Sequence, residues 1–213
     1  MRSSTGREAL TAQLTADALT LFRGDRCLFK GLSFALNPGE LLLLKGRNGS
    51  GKTSFLRAIA GLLELESGSV VWNEVAVTRE PQVFKNSLVW MAHQVGFKGD
   101  LTLLENLHFE AALRPQSGQD IEDVLNRLGL NRLKRLPMRS LSAGQRRRVA
   151  LARMLLSEAQ LWIMDEPVTN LDSEGRALVM ELVGEHLAAN GMVIMAAHQD
   201  VDVDATVQTI ELQ

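Results

Sequence analysis

An α/β fold built around a parallel sheet is predicted by three observations in this 213-residue chain. A glycine-rich loop, Gly46-Arg47-Asn48-Gly49-Ser50-Gly51-Lys52-Thr53, stands between the apolar run Leu41-Leu42-Leu43-Leu44 and a helical segment at 54–60. A second apolar run, Leu161-Trp162-Ile163-Met164, ends in Asp165-Glu166. From there helix-like and strand-like segments alternate to Ala197, the pattern of strands joined by helical crossovers. Short, wholly apolar runs suit strands covered on both faces.

The elements follow in order. Residues 14–36 hold short apolar segments broken at Arg23-Gly24-Asp25 and closed by Asn37-Pro38-Gly39, which is the punctuation of antiparallel strands. A second pair flanks Asn73, with Val70-Val71-Trp72 before it and Val75-Ala76-Val77 after it. Strands with no helix between them predict an N-terminal antiparallel β-subdomain beside the core. Next comes the strand Leu88-Val89-Trp90-Met91, and then residues 99–140 read as an inserted α-helical lobe. Leu104, Leu107 and Ala111 fall at helical spacing there, as do Ile121, Val124, Leu125 and Leu128, while Pro115, Gly118 and Gly129 separate the turns. The remainder is a helix ending at Leu156, a strand at 161–164, a helix at 173–189 and a strand at 192–197. A single domain over 14–212 is expected, with 1–13 as a polar lead.

Composition narrows the function. A net charge of −2 gives no reason to expect nucleic acid as a partner, and the local run Arg146-Arg147-Arg148 reads as a solvated helix face. One cysteine, Cys27, excludes an internal disulfide and a thiol cluster, which fits a reducing cytoplasm. No apolar run approaches the ~18 residues needed to cross a bilayer, and the first ten residues are polar rather than signal-like. A membrane role is therefore expected to come through a partner.

The glycine-rich loop fits G-x-x-x-x-G-K-[ST], the P-loop. Its backbone N–H groups can close round phosphate oxygens at a helix N-terminus, Lys52 can neutralise their charge, and the Thr53 hydroxyl can reach magnesium. Ser54 continues the loop into the helix. Asp165 closes a buried strand at its C-terminal end, where ligands sit in open α/β sheets, and is assigned to the metal. Neighbouring side chains in a strand point to opposite faces, so Glu166 is free for another task and is assigned to polarising the attacking water. Ser142-Ala143-Gly144-Gln145 reads as a capping box that starts the next helix, whose free N–H groups could also meet a phosphate.

With these pieces in this order, the chain resembles the ATP-binding cassette family from about residue 14 to 212. The resemblance implies a P-loop NTPase core, ATP and Mg2+ as ligands, and ATP hydrolysis. It also implies a head-to-tail dimer with a second copy of the chain, in which Ser142, Ala143, Gly144 and Gln145 close over the γ-phosphate held by the other subunit's P-loop. Gln94 is implied to touch magnesium and sense a membrane partner, Asn170-Leu171-Asp172 to couple the two sites, and His198 to contact the γ-phosphate. Many members stack adenine on a tyrosine before the P-loop, but this chain has none. The corresponding position is Arg23, with Phe22 beside it, and either a guanidinium plane or a ring could stack on a base.

Within the family, the stretches around Met91-Ala92-His93-Gln94, Leu141–Arg148 and Trp162–Pro167 are similar to the branch that drives haem export in bacterial cytochrome c maturation. That resemblance implies a peripheral subunit on the cytoplasmic face of the inner membrane, powering integral membrane subunits without binding haem itself. Two alternatives stay open: the ATPase of another small exporter, or a soluble cassette ATPase acting on nucleic acid or ribosomes. Phe97, Leu101 and Leu103, close to Gln94, are candidate apolar contacts for the membrane partner.

Overall fold

The computed structural model describes residues 13–93, 96–169 and 171–213. Two sheets organise them. β1 (Leu14–Arg23) and β2 (Arg26–Leu36) form a hairpin closed by the two-residue loop Gly24-Asp25, where Gly24 supplies the positive φ that tight hairpin turns demand. β4 (Ser67–Trp72) pairs antiparallel with β1, and the short β5 (Val75–Ala76) pairs with β4, giving the order β2-β1-β4-β5. The β-subdomain expected from the two strand pairs is present.

The second sheet is parallel throughout, in the order β6 (Leu88–Met91), β7 (Leu161–Asp165), β8 (Met192–Ala196), β3 (Glu40–Gly46), β9 (Thr206–Leu212). Period-two alternation sends its side chains into two separate cores. Leu41, Leu43, Trp162, Met164, Val193 and Met195 face one core, together with α5 (Ala143–Leu156) and α6 (Ser173–Ala188). Leu42, Leu44, Leu161, Ile163 and Ile194 face the other, shared with α1 (Lys52–Ile59) and the β-subdomain. Leu42 and Leu43 are 0% and 1% exposed, so a charge at either position would be buried without a partner at a cost of several kcal/mol. The same alternation matters for chemistry. Asp165 follows Leu161 and Ile163 at even spacing and emerges on the α1 side.

Between β6 and α5 run α3 (Leu103–Ala111) and α4 (Ile121–Arg127) with two short 3-10 turns. Thr102 and Glu105 form a reciprocal capping box at the start of α3, and Asp120 caps α4 through the N–H groups of Glu122 and Asp123. Arg127 on α4 reaches Glu185 at 2.8 Å and Glu181 at 2.8 Å on α6. Two elements had no counterpart in the sequence reading. α2 (Pro81–Ser87) is a seven-residue helix held by one anchor, Phe84, whose ring lies 5.6 Å from that of Trp72. β9 is an edge strand of alternating exposure and gives no continuous apolar signal. One expectation is corrected here: Leu103 is 0% exposed within the main core, so it is unavailable to a partner, and Phe97 packs against the same core.

Candidate active site

The glycine loop earns its residues by close contact. Gly46 has φ 146, and a Cβ there would fall 2.5 Å from the Leu212 carbonyl oxygen and from Ser50 Oγ. Gly51 caps α1 with φ 103, and its Cβ would meet Leu28 at 3.2 Å. A side chain at either position would push the loop off the helix end. Curled in this way, the loop turns the carbonyls of Gly46 and Arg47 onto Lys52, whose Nζ donates to them at 2.8 and 3.2 Å. Lys52 is only 5% exposed, yet those two acceptors are neutral. A buried ammonium with three donors and no counter-charge is suited to an anion. Ser50 Oγ, also buried, has no hydrogen-bond partner among the described residues.

In front of the loop opens a cleft of about 870 Å³. Asn48, Gly49, Gly51, Lys52, Thr53 and Ser54 line it on one side, Asp165 and Glu166 on the other, with Trp90, Ala92 and His93 along β6 and the segment after it. The N-terminus of α1 points its unpaired N–H groups and positive dipole end at this space. Thr53 Oγ1 donates to Asp165 Oδ2 at 2.8 Å across 112 positions of sequence. A hydroxyl and a carboxylate so placed are the hard oxygen donors that magnesium takes alongside phosphate oxygens.

Glu166 lies one residue beyond β7 with φ 51, a left-handed conformation that costs an ordinary residue about 1 kcal/mol or more. This turn alters the expected geometry. Strand alternation would have parted the two carboxylates, whereas the left-handed residue brings both to the same cleft. Glu166 Oε1 sits 3.0 Å from His198 Nε2, and Oε2 sits 3.6 Å from His93 Nδ1 and accepts from Thr169 Oγ1 at 3.4 Å. The carboxylate is thus held from three sides. His93 and Thr169 were not singled out from the sequence, because a lone histidine before a glutamine and a threonine after a proline carry no spacing signal.

The arginine run is corrected. Arg147 is 4% exposed, not solvated. Its Nε donates to Pro167 O at 2.9 Å, Nη1 to Ala92 O at 3.0 Å and His93 O at 3.3 Å, and Nη2 to Asp165 O at 3.1 Å and to Glu166 O. Burial pushes its pKa below the usual arginine value, against the opposing pull of the Asp165 and Glu166 charges. Arg146 instead turns to the Leu141 carbonyl at 2.8 Å. A signal for this existed: Arg147, Ala150, Leu151 and Met154 recur at helical spacing, so Arg147 shares the apolar face of α5.

Other expected residues lie apart. Ser142, Ala143, Gly144 and Gln145 begin α5, where Ser142 Oγ accepts from Gln145 N and Gln145 Oε1 from Ser142 N, and they do not line the cleft. Gln94 and Asn170 lie outside the described residues. Asp172 caps α6 through the Gly175 N–H at 2.8 Å. Arg23 lines the cleft, while Phe22, its neighbour on β1, does not and is 43% exposed.

Comparison with known proteins bears on this geometry. The family model described as ABC transporter matches residues 29–169. A protein of Methylococcus capsulatus named cytochrome c biogenesis ATP-binding export protein CcmA is 44% identical over 203 residues, covering 94% of this chain and 98% of that relative. Proteins of the same name from Yersinia pestis and Vibrio cholerae are 44% and 43% identical, covering 88% and 87% of this chain and 87% and 91% of their own. Among solved structures, an ATP-binding subunit of an ABC transporter superposes with a TM-score of 0.78 at 23% identity, covering 87% of this chain and 79% of its own. An ATP-binding cassette in its ADP conformation gives 0.76 at 20% identity, over 95% and 89%.

Proposed function

The chain belongs to the ABC transporter family of ATPases, and from that premise we propose that it hydrolyses ATP to power a membrane export complex of cytochrome c biogenesis. The observation that carries the reaction is the Thr53–Asp165 contact at 2.8 Å, with Glu166 next in the chain and His198 at 3.0 Å from its carboxylate. Phosphoryl transfer needs positioned charge and a positioned water more than covalent help. Lys52 and the loop N–H groups bind the β- and γ-phosphates. Thr53 and Asp165 would hold Mg2+, joined by Gln94, and there the ion would supply positive charge to the phosphate oxygens. Glu166 orients the attacking water, and His198 steadies Glu166 and the γ-phosphate. Arg23 covers the base.

The export role rests on the likeness to the cytochrome c biogenesis relatives over nearly the whole length of both chains. No helix among the described residues is long and apolar enough to cross a membrane, which supports a peripheral subunit working through integral membrane partners. We place it on the cytoplasmic face of the inner membrane, with haem handled by those partners and not by this chain. The working unit is a head-to-tail pair with ATP at its interface, each copy offering Ser142, Ala143, Gly144 and Gln145 to the other's P-loop. Those residues sit on the exposed start of α5, away from their own cleft, as such an arrangement needs. Residues 14–212 form one domain with the helical lobe at 99–140.

A strain lacking its own cytochrome c biogenesis ATPase tests the role. Expression of this chain should restore covalently haem-bearing cytochromes c, and the Glu166→Gln variant should not. Restored cytochromes with the Glu166→Gln variant would show that turnover is not what the complex uses. No restoration by the intact, expressed chain, alongside normal ATPase activity of the purified protein, would point to another exporter.

A further inference from the structure

Three charged side chains are buried among the described residues: Lys52, Asp165 and Arg147. The first two face the phosphate cleft, and Arg147 has no part in the reaction as drawn above. It approaches the C-terminal end of β7 from the opposite face of the sheet to α1, because α5 packs on the other core. Among the described residues its acceptors are all backbone carbonyls and come from two segments, 92–93 and 165–167. Those segments carry Glu166 in its left-handed turn and lead directly into Gln94.

We infer that Arg147 is a positioning residue for hydrolysis: its guanidinium, bonded to the carbonyls of Ala92, His93, Asp165, Glu166 and Pro167, fixes the turn that aims the Glu166 carboxylate and ties that turn to the segment before Gln94. Only arginine suits the task. The contacts use Nε and both Nη atoms, spread in a rigid plane, whereas a lysine ammonium on the same stem is a single point that cannot serve both segments. Arg147 lies one turn after Ser142 on the same helix, so a displacement of the start of α5 moves Glu166 and the 92–93 segment together.

This deepens the proposed function and rests on its assignment of Glu166 as the group that orients water. The test is a cycle on the purified full chain: Arg147→Lys, Glu166→Gln and the double variant, each measured for kcat, KM and MgATP affinity. Displacing a reacting group by about 1 Å costs on the order of 10²-fold in rate, so Arg147→Lys should lower kcat by that order while leaving MgATP affinity within about threefold. In the Glu166→Gln background the same change should matter less than about twofold, since the carboxylate it aims is gone. Three results overturn the inference while Glu166→Gln remains impaired: kcat of Arg147→Lys within about threefold of the parent, equal losses in both backgrounds, or KM rising in step with the fall in kcat. Near-parental turnover by Glu166→Gln alone would overturn the assignment of Glu166, and the inference with it. Should the lysine variant fail to fold, Arg147→Gln goes through the same cycle, and failure of both to fold shows that Arg147 holds the fold rather than the carboxylate.

Discussion

Each end of β7 packs a titratable side chain, fully buried at one and half-buried at the other, and they treat it in opposite ways. At the C-terminal end Asp165 is 2% exposed and keeps a donor, the Thr53 hydroxyl, with the guanidinium of Arg147 bonded to its own carbonyl. At the N-terminal end His186 of α6 lies flat on Trp162, ring centroids 4.0 Å apart and planes 10° apart, with Nε2 3.1 Å from the Gln160 carbonyl. Among the described residues that ring has no acidic partner, and burial pushes its pKa down to about 4. One end supports charge in a dry place, which is what binding a polyphosphate requires. The other admits an ionisable ring only in its neutral form. The lesson is that burial alone does not mark a functional group; the partners supplied for its charged form do.

The largest effect should come from breaking the charged end. Lys52→Ala removes the ammonium that two neutral carbonyls hold over the cleft and should lower ATP hydrolysis on the order of 10³-fold, with the circular dichroism spectrum unchanged. Turnover near the parent value would remove Lys52 from the reaction. Next in size, Glu166→Gln and Asp165→Asn should separate. The glutamine variant should bind MgATP and accumulate as an ATP-bound dimer with turnover down on the order of 10²-fold, whereas the asparagine variant should lose its response to magnesium. Gel filtration with ATP and a magnesium titration of nucleotide binding check the pair. Equal loss of nucleotide binding in both would mean that the two carboxylates share one job.

The same contrast explains what the sequence made legible. The P-loop and the apolar run ending in Asp165 could be read because glycines that allow close approach and strands covered on both faces restrict residue type at every position. The antiparallel pairs around Gly24 and Asn73 carried turn chemistry. Hidden were features made by tertiary meeting. Glu166 reaches the cleft through one left-handed residue, Arg147 is reclassified by the helix face it shares with Ala150 and Met154, and His186 packs down on Trp162 only because Gly191 leaves room for it. A Cβ on Gly191 would fall 2.2 Å from His186 Nε2. α2 and β9 escaped for a different reason, since one anchor, Phe84, and an edge strand with a single buried residue, Leu212, do not set a period.

The neutral end gives a smaller, pH-dependent effect. The folded pKa of His186 is lowered, so its neutral form is the one the fold prefers. Unfolded chains bind this proton near pH 6.5, folded ones only near pH 4. Stability from this group is therefore full above about pH 6.5 and declines as the pH falls towards 4, by at most about 3 kcal/mol. His186→Phe, which keeps the stacking on Trp162, should flatten that part of the profile. Urea unfolding of both proteins from pH 7 to pH 4.5 measures the difference, and parallel curves would mean the ring is not desolvated in solution.

The smallest effect is expected at the mouth of the charged end, where the base would lie. Arg23 closes the β1–β2 hairpin and lines the cleft with Leu28, whereas Phe22 is exposed and does not line it. At this edge of the cleft the hairpin therefore offers the base the Arg23 guanidinium plane and the Leu28 side chain, and not the Phe22 ring. Stacking by an exposed cation is worth about 1 kcal/mol, so Arg23→Ala should weaken MgATP binding a few-fold and leave kcat at saturation unchanged. Phe22→Ala should change neither. A loss of affinity in the Phe22 variant alone would mean that the hairpin rotates when nucleotide binds, and that the charged end of the sheet is less preformed than the neutral one.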